Sequence, residues 1–199
     1  MKIKVLIFVF FILYIFQGCT CSTCDNKGEY YMVPDSIISK CNNFVISKTG
    51  RDFFDKYISF NYQSSQKTGD KYYINYIYRD LDKEYIDEKI TFMVDTTGSV
   101  LKNLEISGIP EVKKHPEQCE FNLRKDQAVD IAIAEDLPKG IGEWQVSFRW
   151  SAEFKRYVWH ILTTISEMGS GDNYKAKGEE IILSPANGDI IARREWNIR

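Results

Sequence analysis

The first pattern along the chain is an unbroken apolar run over residues 5–16 (VLIFVFFILYIF), with Lys2 and Lys4 before it and Gln17-Gly18-Cys19 after it. A hydrocarbon core about 30 Å thick asks for about 20 helical residues, so this run is too short to span a bilayer comfortably. A basic start, a short apolar stretch and a small residue before a cut predict a secretory signal over residues 1–18. Residues 19–33 are polar, low in branched aliphatics, and read as a tether. From residue 34 the period changes. Pro34 with Asp35 or Ser36 opens a helix, and Ile37, Ile38, Cys41, Phe44 and Val45 fall on one of its faces. Lys48-Thr49-Gly50 interrupts it, and Phe53-Phe54 opens a second short helix. β-formers then dominate over residues 57–62, 72–79 (YYINYIYR) and 89–94. Asp95-Thr96-Thr97-Gly98 is a tight turn into a return strand from Ser99.

The second half repeats this order. Residues 123–137 predict a helix capped by Asn122, with Ala128, Ile131 and Ala132 at helical spacing and Pro138 and Gly140 as its stop. Small alanines let a helix lie close on a sheet. Strand patterns follow at 144–150, 156–164 and 180–183, then the turn Asn187-Gly188-Asp189 and a return over 190–192. Residues 58–62 answer 146–150, 72–79 answer 156–163, and Gly98 answers Gly188 as the hairpin-turn glycine. The expected fold is therefore α+β, with two tandem modules, each a helix packed on a small antiparallel β-sheet. The boundaries are 34–106 for the first, 107–121 for a linker, and 122–199 for the second.

Two resemblances attach to these residues. Gly18-Cys19 after the apolar run resembles the lipobox of bacterial lipoproteins, with Phe16 and Gln17 where Leu and a small residue usually stand. It implies lipidation at Cys19, with ordinary secretory cleavage as the alternative. The second half resembles a PepSY domain, through the helix Asp126-Gln127-Ala128-Val129-Asp130-Ile131-Ala132, the strand Tyr157-Val158-Trp159-His160-Ile161 and the hairpin over residues 180–191. Pro185 stands where that family usually has Asp, while Asp95 holds the matching place in the first half. The first half is similar more weakly. The resemblance implies a non-enzymatic protein of the bacterial envelope that inhibits or escorts peptidases. The same helix, Trp-bearing strand and hairpin also look like small NTF2-like immunity modules that neutralise toxins by binding them.

Charge narrows the partners. Of 199 residues, 26 are Lys or Arg and 28 are Asp or Glu, a formal charge of −2. Without a basic excess, nucleic acid is not an expected partner. Loss of Lys2 and Lys4 with the signal makes the mature chain more acidic still. Membrane attachment would then rest on acyl chains rather than on attraction to anionic lipid.

The chemistry-bearing residues are few. Cys21-Ser22-Thr23-Cys24 is formally a CxxC but lacks the strand-to-helix context of redox sites. Cys41 and Cys119 are a candidate disulfide that would clamp the two modules. His160, between Trp159 and Ile161, is expected to face solvent by alternation, and His115 to be solvated in the linker. No nucleophile elbow, P-loop or spaced ligand set is present, so no catalytic residue, cofactor or metal is expected. Tyr72, Tyr76 and Tyr78 share one face of their strand and are the candidate binding-surface aromatics, with core filling as the alternative. The functional expectation is a lipid-anchored binding protein acting on an envelope peptidase or another protein there. A toxin-neutralising protein and a carbohydrate-binding surface lipoprotein are the alternatives.

Overall fold

The computed structural model describes residues 33–198, all within the compact unit Tyr31–Arg199. The segment expected to be a signal, Cys19, Cys21, Cys24 and all but the last residue of the expected tether lie outside the described residues. Helix α1 (Asp35–Thr49) buries Ile37, Ile38, Cys41 and Val45 on one face. Asp35 in its first turn and Lys48 in its last complement the helix dipole. Gly50, at φ +88°, ends α1 and starts α2 (Arg51–Tyr57). The left-handed backbone there is the reason for the break at Lys48-Thr49-Gly50.

The first sheet is built around strand β3 (Lys71–Arg79). On one side β3 pairs with β1 (Ile58–Phe60) and β2 (Gln66–Thr68), and on the other with β4 (Asp87–Asp95), all antiparallel. The pattern 57–62 is shortened to β1, and β2 lies in a stretch that sequence marks only as polar. The return strand after Gly98 is reduced to single bridges, Val94 to Val100 and Thr91 to Ser107. The second sheet is a meander of β5 (Gln145–Ser151), β6 (Arg156–Met168), β7 (Lys175–Leu183) and β8 (Ile190–Ile198). Helix α3 (Lys125–Ala134) packs on it through Ala128 and Ala132, both fully buried.

Helix α3 is shorter than the pattern 123–137, for local reasons. The Leu123 N–H donates to Pro185 O and the Leu123 carbonyl accepts from Trp159 Nε1 at 2.9 Å, which ties residue 123 to the sheet. Gln127 then reaches back to accept from the Arg124 N–H at 2.9 Å, so capping begins two residues after Asn122. Asp136, at φ +54°, stops the helix before Leu137.

Each half is thus a helix on an antiparallel sheet, as the pattern predicts. The two closing turns are built alike. Gly98 donates to Asp95 O and Gly188 to Ser184 O, at φ +84° and +80°. Each turn glycine lies against its own helix. A Cβ at Gly98 would come within 2.9 Å of Lys40 Cδ on α1, and one at Gly188 within 2.7 Å of Ile131 Cδ1 on α3.

One hydrophobic core runs through both halves. Its seam is aromatic. Phe121, from the linking segment, sits 5.1 Å from Phe148 and 5.8 Å from Tyr157, and Tyr78 stands 5.4 Å from Tyr157 (ring centroids). Tyr85 packs on Phe148 and Trp159 and donates its hydroxyl to Phe121 O at 2.8 Å. The Tyr157 hydroxyl donates to Gly108 O at 2.8 Å. A module of about 75 residues buries too little surface for a generous core of its own, and this shared seam offsets that.

Candidate functional site

The aromatic row of β3 is core. Tyr72, Tyr76 and Tyr78 are 8%, 0% and 2% exposed, which corrects their reading as a binding surface. Helices α1 and α2 lie over that face: Tyr76 donates to Asn42 Oδ1 at 2.7 Å, Phe54 stands edge-on to Tyr76, and Phe53 tilts against Tyr78. Alternation divides the strand into two faces but does not say which one a helix will cover.

Cys41 and Cys119 are free thiols, so the expected bridge is also corrected. Burial pushes both thiols up to about 12, with the charge of Glu117 adding to the effect at Cys119. A reactive cysteine needs the opposite shift.

His160 departs from expectation in another way. Trp159 and Ile161 do face the core, so the alternation holds, yet His160 is only 6% exposed. Its Nε2 lies 2.6 Å from Glu180 Oε2 on β7. Glu180 also accepts from Arg194 Nε on β8, and Arg194 forks onto Glu153 at 2.9 and 3.1 Å. These long side chains cover the outer face of the second sheet. Burial lowers the His160 pKa, against the opposing pull of Glu180. Burial alone would raise Glu180, but the hydrogen bonds from Arg194 and His160 outweigh it and hold its carboxyl below the usual range. Ser147 is the register partner of His160 on β5. Among the described residues no hydroxyl or thiol hydrogen-bonds to the ring, so the pair activates no nucleophile.

The feature that sequence does not reveal is a cleft of about 1100 Å³ between the halves. Helix α1 contributes Phe44 and Lys48, the segment after β4 contributes Lys102, Glu105 and Ile106, and the linking segment contributes Ile109, Glu111, Lys114 and Cys119. The β5–β6 hairpin contributes Trp150 at the end of β5, Phe154 and Lys155 in the turn, and Arg156 at the start of β6. Glu111 is held by Lys48 at 2.9 Å and Lys114 at 3.2 Å, and the hydrogen bond from Lys48 leads in drawing its pKa down. Lys102, Lys155 and Arg156 have no ion-pair partner among the described residues.

Residues 107–121 carry the cleft floor, although composition marks them as linker. Their only signal is the scattered apolar set Ile109, Pro110 and Phe121, buried in the structure. His115, expected to be solvated, is half exposed at the rim. No three His, Cys, Asp or Glu side chains among the described residues come together as a metal site. No helix among them is long and apolar enough to cross a membrane. A scan against protein-family models finds no match for this chain, and a search of curated proteins finds none either.

Proposed function

We propose that this protein is a PepSY-like lipoprotein of the cell envelope, anchored through Cys19, that works by holding a protein partner rather than by catalysis. The observation that carries this reading is the cleft between the halves, of about 1100 Å³ and walled by side chains from both. Pockets of several hundred Å³ with mixed apolar and polar walls are the usual form of a binding site. The seam of rings joins the two halves in one core, which favours a preformed surface for a bound segment. A helix on an antiparallel sheet in each half, with a turn glycine against the helix, supports the PepSY-like reading. The partner belongs to the same compartment, and an envelope peptidase is the leading class.

Two measurements test this. A fatty-acid probe should label the wild type and fail to label Cys19→Ala, and label surviving that change removes the anchor. A photo-reactive residue at Lys102, in the full chain in cells, should cross-link to one defined protein. A matching probe at the exposed Leu81 should not. Equal adducts from both positions, or none from the cleft, would overturn the binding role.

A further inference from the structure

We infer that the cleft takes an extended acidic peptide segment bearing apolar or aromatic side chains, presented by the partner. This rests on the proposal that the cleft is the binding site and goes further by naming what it recognises.

The cleft walls carry five Lys and Arg (Lys48, Lys102, Lys114, Lys155 and Arg156) against two Glu (Glu105 and Glu111), in a chain whose net charge is −2. Glu111 is satisfied internally by Lys48 and Lys114. Lys102, Lys155 and Arg156 remain for a ligand, with Glu105 as the single opposing charge. A partly desolvated concave wall focuses such a field beyond what the same charges produce on a convex surface.

The three cations without an ion-pair partner come from two places in the chain, Lys102 from the segment after β4 and Lys155 and Arg156 from the β5–β6 hairpin. Phe44, Ile106, Trp150 and Phe154 line the same cleft and offer apolar contact. A ligand that meets both sets carries carboxylates together with apolar side chains, as an acidic peptide segment does.

Lys155 occupies the left-handed region at φ +51°, in a hairpin turn where glycine is the low-cost choice. Its side chain lines the cleft and makes no ion pair among the described residues, which leaves its charge for a ligand.

The test uses the full chain in mild detergent, with calorimetry and the change in total tryptophan fluorescence as readouts. The probes are four: an acetylated hexapeptide alternating aspartate and phenylalanine, its asparagine and lysine counterparts, and palmitate. The acidic peptide should bind, the neutral one about tenfold or more weakly, and the lysine one not at all. The double variant K102E/K155E should weaken the acidic peptide about tenfold while leaving the thermal melt unchanged, and added salt should weaken it too. Equal binding of acidic and neutral peptides overturns acidic recognition. Palmitate binding in place of peptide overturns the peptide assignment in favour of a lipid. If no peptide binds while the Lys102 cross-link still forms, the ligand class is wrong and the binding role stands. If neither occurs, both fall.

Discussion

Replacing Glu88 with glutamine should stabilise the protein at pH 8 and change it little at pH 4.5. Glu88 is half-buried on β4, where the first half meets the second. Burial pushes its carboxyl up to about 7 from an ordinary 4.5, and the neighbouring charge of Asp87 adds to this. The Trp150 backbone N–H and the Arg149 charge oppose it without winning. The folded state therefore holds a proton that the unfolded chain releases near 4.5. Between those two values the folded state binds more protons, so stability falls as pH rises through the window and is flat above it. A tenfold change in proton affinity is worth about 1.4 kcal/mol, which sets a ceiling of ~3 kcal/mol on the loss. Glu88 keeps some contact with water, and solvent screening reduces the expected figure to ~1–2 kcal/mol. Glutamine can still accept from the Trp150 N–H without carrying charge, so it keeps the contact and removes the cost. Urea unfolding of wild type and Glu88→Gln at pH 4.5, 6, 7 and 8 measures this. The difference should open between pH 5 and 7 and then level off. A constant difference, or a variant that loses stability as pH rises, would refute the account of Glu88 as a desolvated carboxyl.

The two turn glycines should differ in tolerance. Gly188→Ala meets the Ile131 side chain in a packed site at positive φ, and should cost ~2–3 kcal/mol in chemical denaturation. Gly98→Ala meets the Lys40 side chain at Cδ, on the exposed outside of α1, and should cost about 1–2 kcal/mol, from backbone strain and from displacing the lysine that donates to Thr97 O. Equal costs would show that the side-chain neighbour is irrelevant. Glu180→Gln should cost about 2–3 kcal/mol at pH 7, because Arg194 and His160 lose a charged acceptor. Glu180 has a lowered folded pKa, so its contribution is full above 4.5 and is lost as pH falls through the folded value. Melts of wild type and variant should therefore converge in acid, and a gap that persists there would place the effect in shape rather than charge.

The sequence by itself determined the main helices and strands and their order, but not the short strand β2. Helical spacing of Ile37, Ile38, Cys41 and Val45 placed α1, and the paired alanines placed α3. Alternating aromatics and β-branched residues placed β3, β4 and β6, and the two glycine turns were legible because positive φ is a local demand of the backbone. Tertiary structure decided everything that depends on which face is covered. Tyr72, Tyr76 and Tyr78 share a face by alternation alone, but only the docking of α1 and α2 makes that face core. His160 points away from the core as the period requires, and it is buried by Glu180 and Arg194, which lie 20 and 34 residues away along the chain. Cys41 and Cys119 are free thiols, Cys41 buried and Cys119 half-buried, which spacing along the chain does not decide. The cleft was not legible at all, because its cations come from four elements that share no local pattern and meet only after the halves pack. Local periodicity is written into neighbouring residues, whereas a concave surface is a property of elements brought together across the chain.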